Sequence, residues 1–239
     1  MREFFFELLP KYLPVLLEGA VVTLQLSLVS MVLALVIGLL CALGSLSRQP
    51  LVRWAVAVYV EIMRDVPLLV VLLVIYFTLP QLGLSLPGFV AGVVGLSLNV
   101  GAYLSEVFRA ALGSVDKGEK EAALALGMSR FTAFRRVTLP QALRIAVPTV
   151  GGFYIALLKD SSLVSFIAVT ELMRQGTILI SSTFRSMEIY FMVAMVYFVM
   201  SFVAARIVKR VELALTPHHL RRRRSATLSA AVRPDLVRS

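Results

Sequence analysis

The chain alternates long apolar runs with shorter segments that hold most of its charged residues. No charge occurs between Glu18 and Arg48, and residues 19–44 exceed the roughly 20 apolar positions that a helix needs to cross a bilayer. Comparable runs occur at 54–79, at 89–112, from about 145 onward, and at 189–207. The pattern therefore predicts an all-α integral membrane protein with five transmembrane helices.

The ionisable side chains within the second and fourth runs need an explanation, because charge at membrane depth is costly unless it is paired or hydrated. The second run carries Glu61, Arg64 and Asp65. The spacing of Glu61 and Arg64 predicts an ion pair within one helix. The fourth run meets Lys159 and Asp160 after an uncharged stretch too short to span, so this helix is predicted to be interrupted.

The composition agrees with a membrane location. Hydrophobic residues make up 59% of the chain and charged residues only 16%, which excludes an ordinary soluble globular domain. The net charge of +10 does not indicate nucleic acid, because the basic residues flank apolar runs instead of following one folded face.

The distribution of lysine and arginine predicts the orientation. The loops after the first and third runs and the C-terminal tail are basic, so we expect them to be cytoplasmic and the N-terminus to lie outside. This divides the chain into an extracytoplasmic segment at 1–18, a transmembrane domain at 19–208 and a cytoplasmic tail at 209–239. The arginines at 221–224 are expected to meet anionic lipid.

The connection at 113–144 holds six basic residues and must be aqueous or interfacial. Helical spacing predicts that one apolar face is lined by Leu124, Met128 and Phe131. Gly127 is expected to permit a bend, and residues 139–140 to end the segment before the fourth span. Periodicity leaves two roles open: a docking surface for a partner, or a helix lying on lipid headgroups.

Small and polar residues share one face of the third predicted helix. They are Gly88, Gly92, Gly95, Asn99, Ala102, Tyr103, Glu106 and Ala110. The glycines are expected to let neighbouring helices approach closely. For Asn99, Tyr103 and Glu106 two roles stay open, hydrogen bonding between helices and lining of a polar pathway.

The polar connection also resembles the E-A-A…G…I-x-L-P cytoplasmic loop of the membrane subunits of ABC importers. The matching positions are Glu121, Ala122, Ala123, Gly127, Val137, Leu139 and Pro140. Further segments resemble one branch of that family, the polar amino acid permeases; they lie at 63–69, 95–112, 139–144, 157–165 and 171–172. Together the resemblance covers about residues 19–208.

This resemblance implies a type I ABC importer transmembrane domain in a bacterial inner membrane. Residues 121–140 would include a cytoplasmic coupling helix that sits in a groove of an ABC ATPase subunit. The implied partners are those ATPase subunits, a second permease subunit of the same or a similar sequence, and an extracytoplasmic solute-binding protein. The implied cargo is a polar or charged amino acid or a close analogue.

The chain departs from that family pattern at three places. It has Glu119 and Lys120 where glutamine is usual, Asp65 and Val66 where glycine and threonine are usual, and Ser161 in place of threonine. Asp65 adds a carboxylate within the second span, which bears on the identity of the substrate more than on the fold.

Interrupted spans in transporters commonly place polar groups toward the cargo. We therefore expect a translocation cavity that meets the ammonium and carboxylate groups of the substrate. Its predicted lining is Arg64, Asn99, Tyr103, Asp160, Ser161 and Ser162. A polar-lined channel or scaffold without ATP coupling, and an ABC permease for another small solute, remain alternatives.

No catalytic centre, metal site or cofactor is predicted. The only histidines, at 218 and 219, lie in the tail. The segment GSVDKGEK at 113–120 is not a phosphate-binding loop, because its second glycine is followed by Glu119 and not by a lysine and then serine or threonine. We therefore expect a transporter subunit and not an enzyme, with ATP hydrolysis in a separate chain.

Overall fold

A computed structural model describes residues 8–215, and these form helices joined by short connections. In chain order the helices are α1 Leu9–Ser45, α2 Pro50–Asp65, α3 Leu68–Leu73, α4 Gly88–Gly113, α5 Lys117–Ala125, α6 Arg130–Ala133, α7 Leu139–Asp160, α8 Leu172–Thr183 and α9 Ser186–Leu215. Single turns of π-helix and short 3₁₀ segments extend three of them, at Val74–Thr78, Leu79–Leu82, Phe134–Thr138 and Ser161–Ile167.

Five spans are consistent with the described helices. Helices α1, α4 and α9 and the continuous stretch Arg130–Ile167 are each long and apolar enough to cross a membrane. The fifth span is a bent pair, Pro50–Asp65 with Leu68–Leu82. The prediction of an all-α membrane protein is confirmed.

The second span is not the continuous helix expected at 54–79. It bends by 108° between α2 and the helix that follows. The physical cause is Pro67, because a proline disfavours helical backbone at the preceding residue and has no N–H to continue the hydrogen-bond ladder. Val66 accordingly has extended dihedrals, with φ −83° and ψ 129°.

The centre of the bundle is the interface between α1 and α4. Ser97 on α4 donates a hydrogen bond to the carbonyl of Ser30 on α1 over 3.1 Å. A Cβ atom added at Gly38 would lie 2.7 Å from the Cβ of Leu104, so the two helices touch almost backbone to backbone. The glycines of the third predicted helix also serve close packing, since a Cβ at Gly95 would lie 2.7 Å from a methyl group of Leu72.

The polar connection folds differently from the single amphipathic helix that was predicted. Helix α5 ends at Ala125, and Gly127 has a left-handed backbone with φ 81°, so Leu124 and Phe131 belong to separate helices. The predicted bend at Gly127 is present. The predicted stop at residues 139–140 is wrong, because Pro140 lies in the first turn of α7 and the helix runs on through it.

Two further segments are helical outside the predicted apolar runs. Helix α1 begins at Leu9, inside the segment expected to precede the membrane domain, and α8 lies before the last predicted run, at Leu172–Thr183. The α-helical part of the fourth span ends at Asp160, as the predicted interruption requires, and continues as a 3₁₀ segment. The predictions for residues 1–7, for the tail beyond 215 and for its arginines at 221–224 lie outside the described residues.

Candidate translocation cavity and coupling loop

The break in the second span opens into a cavity of about 370 Å³. Its walls come from the break itself, from α4 and from the C-terminal part of α7. The polar and charged side chains that line it are Arg64, Asp65, Asn99, Tyr103 and Asp160. The cavity therefore combines one cation, two carboxylates and two neutral hydrogen-bonding groups.

The helix break determines what the neutral groups do. The carbonyl of Met63 would normally accept from the N–H four residues later, which is residue 67, and proline has none. The side-chain amide of Asn99 takes that place and donates to the Met63 oxygen over 2.6 Å. The Tyr103 hydroxyl likewise donates to the Arg64 carbonyl over 3.2 Å. Two residues of α4 thus donate hydrogen bonds to the C-terminal end of α2 at the break.

Helix α2 is fastened to α4 at a third point as well. The Tyr59 hydroxyl donates to the carbonyl of Leu98 over 2.6 Å. Three hydrogen bonds therefore join α2 to α4 near the break.

The Arg64 guanidinium lies over the Tyr103 ring, with its carbon 5.6 Å from the ring centroid. Among residues 8–215, Arg64 forms no ion pair with Glu61 within 4.0 Å, so the predicted intrahelical pair is wrong. The Tyr103 ring in turn contacts Phe153 on α7, with centroids 5.6 Å apart. An aromatic surface thus supports the cation at the cavity wall.

A second polar cavity of about 560 Å³ adjoins the first and shares Arg64 and Asp65 with it. It extends toward Ser45 and Arg53, at the end of the bundle that carries the loop between α4 and α5. At this end Glu106 and Arg109 form an ion pair. The two cavities therefore lie side by side between the break and the predicted cytoplasmic side, with Arg64 and Asp65 in the lining of both.

The cavity brings together four of the six residues predicted to line the pathway, which are Arg64, Asn99, Tyr103 and Asp160. Ser161 is fully buried and donates to the carbonyl of Leu158 over 2.8 Å, and Ser162 is half-buried. Neither serine lines the cavity within the described chain. Asp65, which was noted as an ionisable residue of the second run and as a departure from the family pattern but was not predicted to line the pathway, is the additional lining residue.

The predicted coupling residues lie on the loop between α4 and α7. Glu121, Ala122 and Gly127 are exposed, Ala123 is buried, and Leu139 and Pro140 are half-buried. Each short helix has a side-chain cap: Asp116 accepts from the N–H of Gly118 over 2.6 Å, and Ser129 accepts from the N–H of Thr132 over 3.2 Å. These caps give the loop a defined shape.

The tip of this loop exposes large apolar side chains around Gly127. Leu126 is 80% exposed and Phe131 72% exposed. Exposed apolar groups rimmed by charged residues mark interaction surfaces. The sequence pattern predicted an apolar surface here, but it assigned Leu124, Met128 and Phe131 to one helix and did not include Leu126.

Glu171 is a buried carboxylate that sequence reasoning noted only as part of the family resemblance. It caps α8, accepting from the N–H groups of Met173 and Arg174 over 2.9 and 2.8 Å. It also accepts from the hydroxyls of Tyr197 on α9, over 2.8 Å, and Thr23 on α1, over 3.4 Å. Burial raises the pKa of the Glu171 carboxyl, and these hydrogen bonds oppose that rise. The residue ties three helices together.

Membrane-spanning helices around a polar cavity at a broken span, together with a structured loop at one end, are typical of the membrane subunit of a transporter. Residues 34–216 match the family model for the binding-protein-dependent transport system inner membrane component. The chain belongs to this family of ABC importer permease subunits. It is therefore a multi-pass inner-membrane transport protein and not an enzyme, and ATP hydrolysis belongs to a separate subunit.

Curated relatives and solved structures agree with this assignment. The chain is 40% identical over 202 residues to the glutamine transport system permease protein GlnP of Escherichia coli K12, covering 84% of this chain and 92% of that one. It is 40% identical over 193 residues to the probable amino-acid permease protein YxeN of Bacillus subtilis strain 168, covering 80% and 86%. A crystal structure of an amino acid ABC transporter with histidines superposes with a TM-score of 0.82 at 37% identity, covering 87% and 98%.

Proposed function

We propose that this chain translocates a polar or charged amino acid, or a close analogue, through the cavity at the broken second span. The observation that carries the proposal is that this cavity brings together Arg64, which suits a carboxylate, and Asp160, which suits an ammonium group. An amino acid carries both groups. The names of relatives such as the glutamine permease support the same class of cargo.

Residues 121–140 are the proposed site of coupling to a cytoplasmic ATPase. Two structural features support this role, the exposed apolar side chains of Leu126 and Phe131 and the left-handed backbone at Gly127. The sequence also matches the family loop, at Glu121, Ala122, Ala123, Gly127, Leu139 and Pro140. Exposed apolar side chains on a loop of defined shape suit a groove in a partner protein. With this loop cytoplasmic, the C-terminal end of α9 is cytoplasmic as well.

The complete importer contains partners besides the ATPase. We propose a second permease subunit, of this sequence or a similar one, and an extracytoplasmic binding protein that delivers the cargo. The extensive exposed apolar surface of α9, which includes Phe198, Phe202 and Ile207, suits contact with membrane lipid.

The coupling role is tested by ATP-driven uptake in vesicles that contain the assembled importer. Gly127→Asp places a side chain where the backbone has φ 81° and puts a charge into the apolar tip, and Glu121→Arg reverses a charge on the exposed face of α5. We expect both variants to insert normally and to lose at least tenfold in uptake. A crosslink or copurification assay should show reduced ATPase binding.

Gly113→Asp is the matched control. Gly113 is an exposed glycine at the other end of the same loop, it has no positive φ, and a Cβ atom there meets nothing within 4 Å. Uptake by this variant should stay within about twofold of the unmodified importer. Full uptake by both Gly127→Asp and Glu121→Arg would contradict the coupling role, and uptake that needs no ATP would indicate a channel.

A further inference from the structure

We propose that the cavity selects a substrate with a net positive charge, a basic amino acid or another small molecule with an α-amino acid group and a second cation. This inference rests on the proposed function, because it takes the cavity at the break to be the cargo site. It narrows the substrate class from polar amino acids in general to those with a cationic side chain.

The charges that line the cavity do not balance. Arg64 supplies one positive charge, and Asp65 and Asp160 supply two negative charges. A zwitterionic amino acid pairs with Arg64 through its carboxylate and with one aspartate through its ammonium group, which leaves the other aspartate without a partner. A cationic side chain on the ligand supplies the positive charge that the remaining aspartate lacks.

Neighbouring groups do not supply the missing cation. The adjoining cavity is lined by three arginines and three carboxylates, which are Arg53, Arg64, Arg109, Glu61, Asp65 and Glu106. Within that set Arg109 is already paired with Glu106. Lys159 stands next to Asp160 in sequence and its charge acts on that carboxylate, but it does not line the cavity in the described chain.

The three charged residues also do not neutralise one another. Arg64 and Asp65 lie at the end of α2, whereas Asp160 ends α7 on another wall. In residues 8–215 none of the three forms an ion pair with another within 4.0 Å. Arg64 instead rests on the Tyr103 ring, and the tether from Tyr103 to the Arg64 carbonyl fixes the backbone beside Asp65. Both carboxylates are exposed to the cavity and available to a ligand.

Asp65 supplies the carboxylate that leaves the charges of this cavity unbalanced. Without its carboxylate the cavity would hold one cation and one anion and would suit a neutral zwitterion. Carboxylates that share a site repel each other unless a cation is present. Asp65 therefore adds the preference for a second positive charge.

The test compares L-arginine with L-citrulline, which has nearly the same shape but an uncharged urea in place of the guanidinium. Binding is measured by equilibrium dialysis on the purified permease–ATPase complex without its binding protein, since the binding protein makes its own selection. We expect the unmodified complex to bind L-arginine at least tenfold more tightly than L-citrulline. Asp65→Asn should reduce this ratio to threefold or less.

The ratio of the dissociation constants of the two ligands, measured on one preparation, does not depend on the fraction of protein that is folded. Glu61→Gln, which removes a carboxylate that lines only the adjoining cavity, is the matched control and should keep the tenfold preference. Equal binding of both ligands by the unmodified complex, or an unchanged ratio in Asp65→Asn, overturns the inference.

The outcomes also separate this inference from the proposed function. If vesicles take up an amino acid with ATP but the complex binds L-citrulline as tightly as L-arginine, only the charge preference is wrong. If neither ligand binds while uptake persists, the cavity is not the charge-selecting site. If no amino acid is taken up, the proposed function itself is wrong.

Discussion

Asn99→Leu tests whether the side chain of Asn99 replaces the hydrogen-bond donor that Pro67 cannot supply. Leucine keeps the branched shape of asparagine but donates nothing, so the Met63 carbonyl loses the partner that it has at 2.6 Å. A buried acceptor left without a partner costs about 1–3 kcal/mol, while measured hydrogen bonds between membrane helices average about 0.6 kcal/mol. Asn99 is buried, so we expect a loss of about 1–2 kcal/mol.

A matched comparison comes from Ser105→Ala in the same helix. The Ser105 hydroxyl is also buried, but it donates to the carbonyl of Ala102 within its own helix over 2.7 Å. Removing it breaks no contact between helices, so the cost should be below about 0.5 kcal/mol. The free energy of unfolding of both variants is measured by titrating the purified permease from mild detergent into sodium dodecyl sulfate.

Pro67→Ala supplies the decisive second variant. Alanine restores an N–H at position 67, which gives the Met63 carbonyl an alternative donor. In the Pro67→Ala background, Asn99→Leu should therefore cost at least about 0.5 kcal/mol less than in the unmodified protein. A cost of Asn99→Leu no larger than that of Ser105→Ala, or one that Pro67→Ala leaves unchanged, would refute the reasoning.

Two further predictions concern how the bundle is held together. Gly38→Ala should destabilise the permease by about 1–3 kcal/mol in the same titration, because its Cβ would lie 2.7 Å from that of Leu104 and force α1 and α4 apart. Gly152→Ala is the control and should be neutral, because a Cβ at this position meets nothing within 4 Å. Glu171→Ala should cost at least about 2 kcal/mol, since it removes the cap of α8 and the acceptor for the Tyr197 hydroxyl, whereas Tyr197→Phe should cost about 1 kcal/mol. Equal effects within either pair would contradict the corresponding contact.

The sequence was sufficient for the number of spans and for most of the residues that line the cavity, because apolar runs and intramembrane polar residues are local signals. Arg64, Asn99, Tyr103 and Asp160 stood out as polar groups at membrane depth, and the structure places all four at one cavity. Ser161 stood out for the same reason, yet it turns inward and bonds to its own helix. Which side of a helix end faces a cavity depends on packing that periodicity does not contain.

The break in the second span was missed although its signal was present. The dipeptide Val66–Pro67 disfavours helix at the first residue, but an apolar run long enough to span outweighed it in the prediction. At Pro140 the opposite error occurred, since the helix continues through this proline; a π-helical turn at Phe134–Thr138 lies directly before it, where the Leu139 N–H donates to the Phe134 carbonyl five residues earlier. The position of a proline within its helix decides its effect, and that position is fixed by the fold.

The proposed coupling role predicts how a movement of the loop would reach the cavity. Helix α4 runs from the cavity at Asn99 to Gly113, about 21 Å at 1.5 Å per residue, and α7 runs from Leu139 to Asp160, about 32 Å. The loop proposed to couple to an ATPase joins these two ends, so a partner that moves the loop would act on two walls of the cavity at once. Because Asn99 and Tyr103 bind the C-terminal end of α2 to α4, we expect Arg64 and Asp65 to move with α4. The cavity is thus expected to open by separating Asp160 from Arg64 and Asp65, which would weaken the grip on a charged substrate in the same step that releases it.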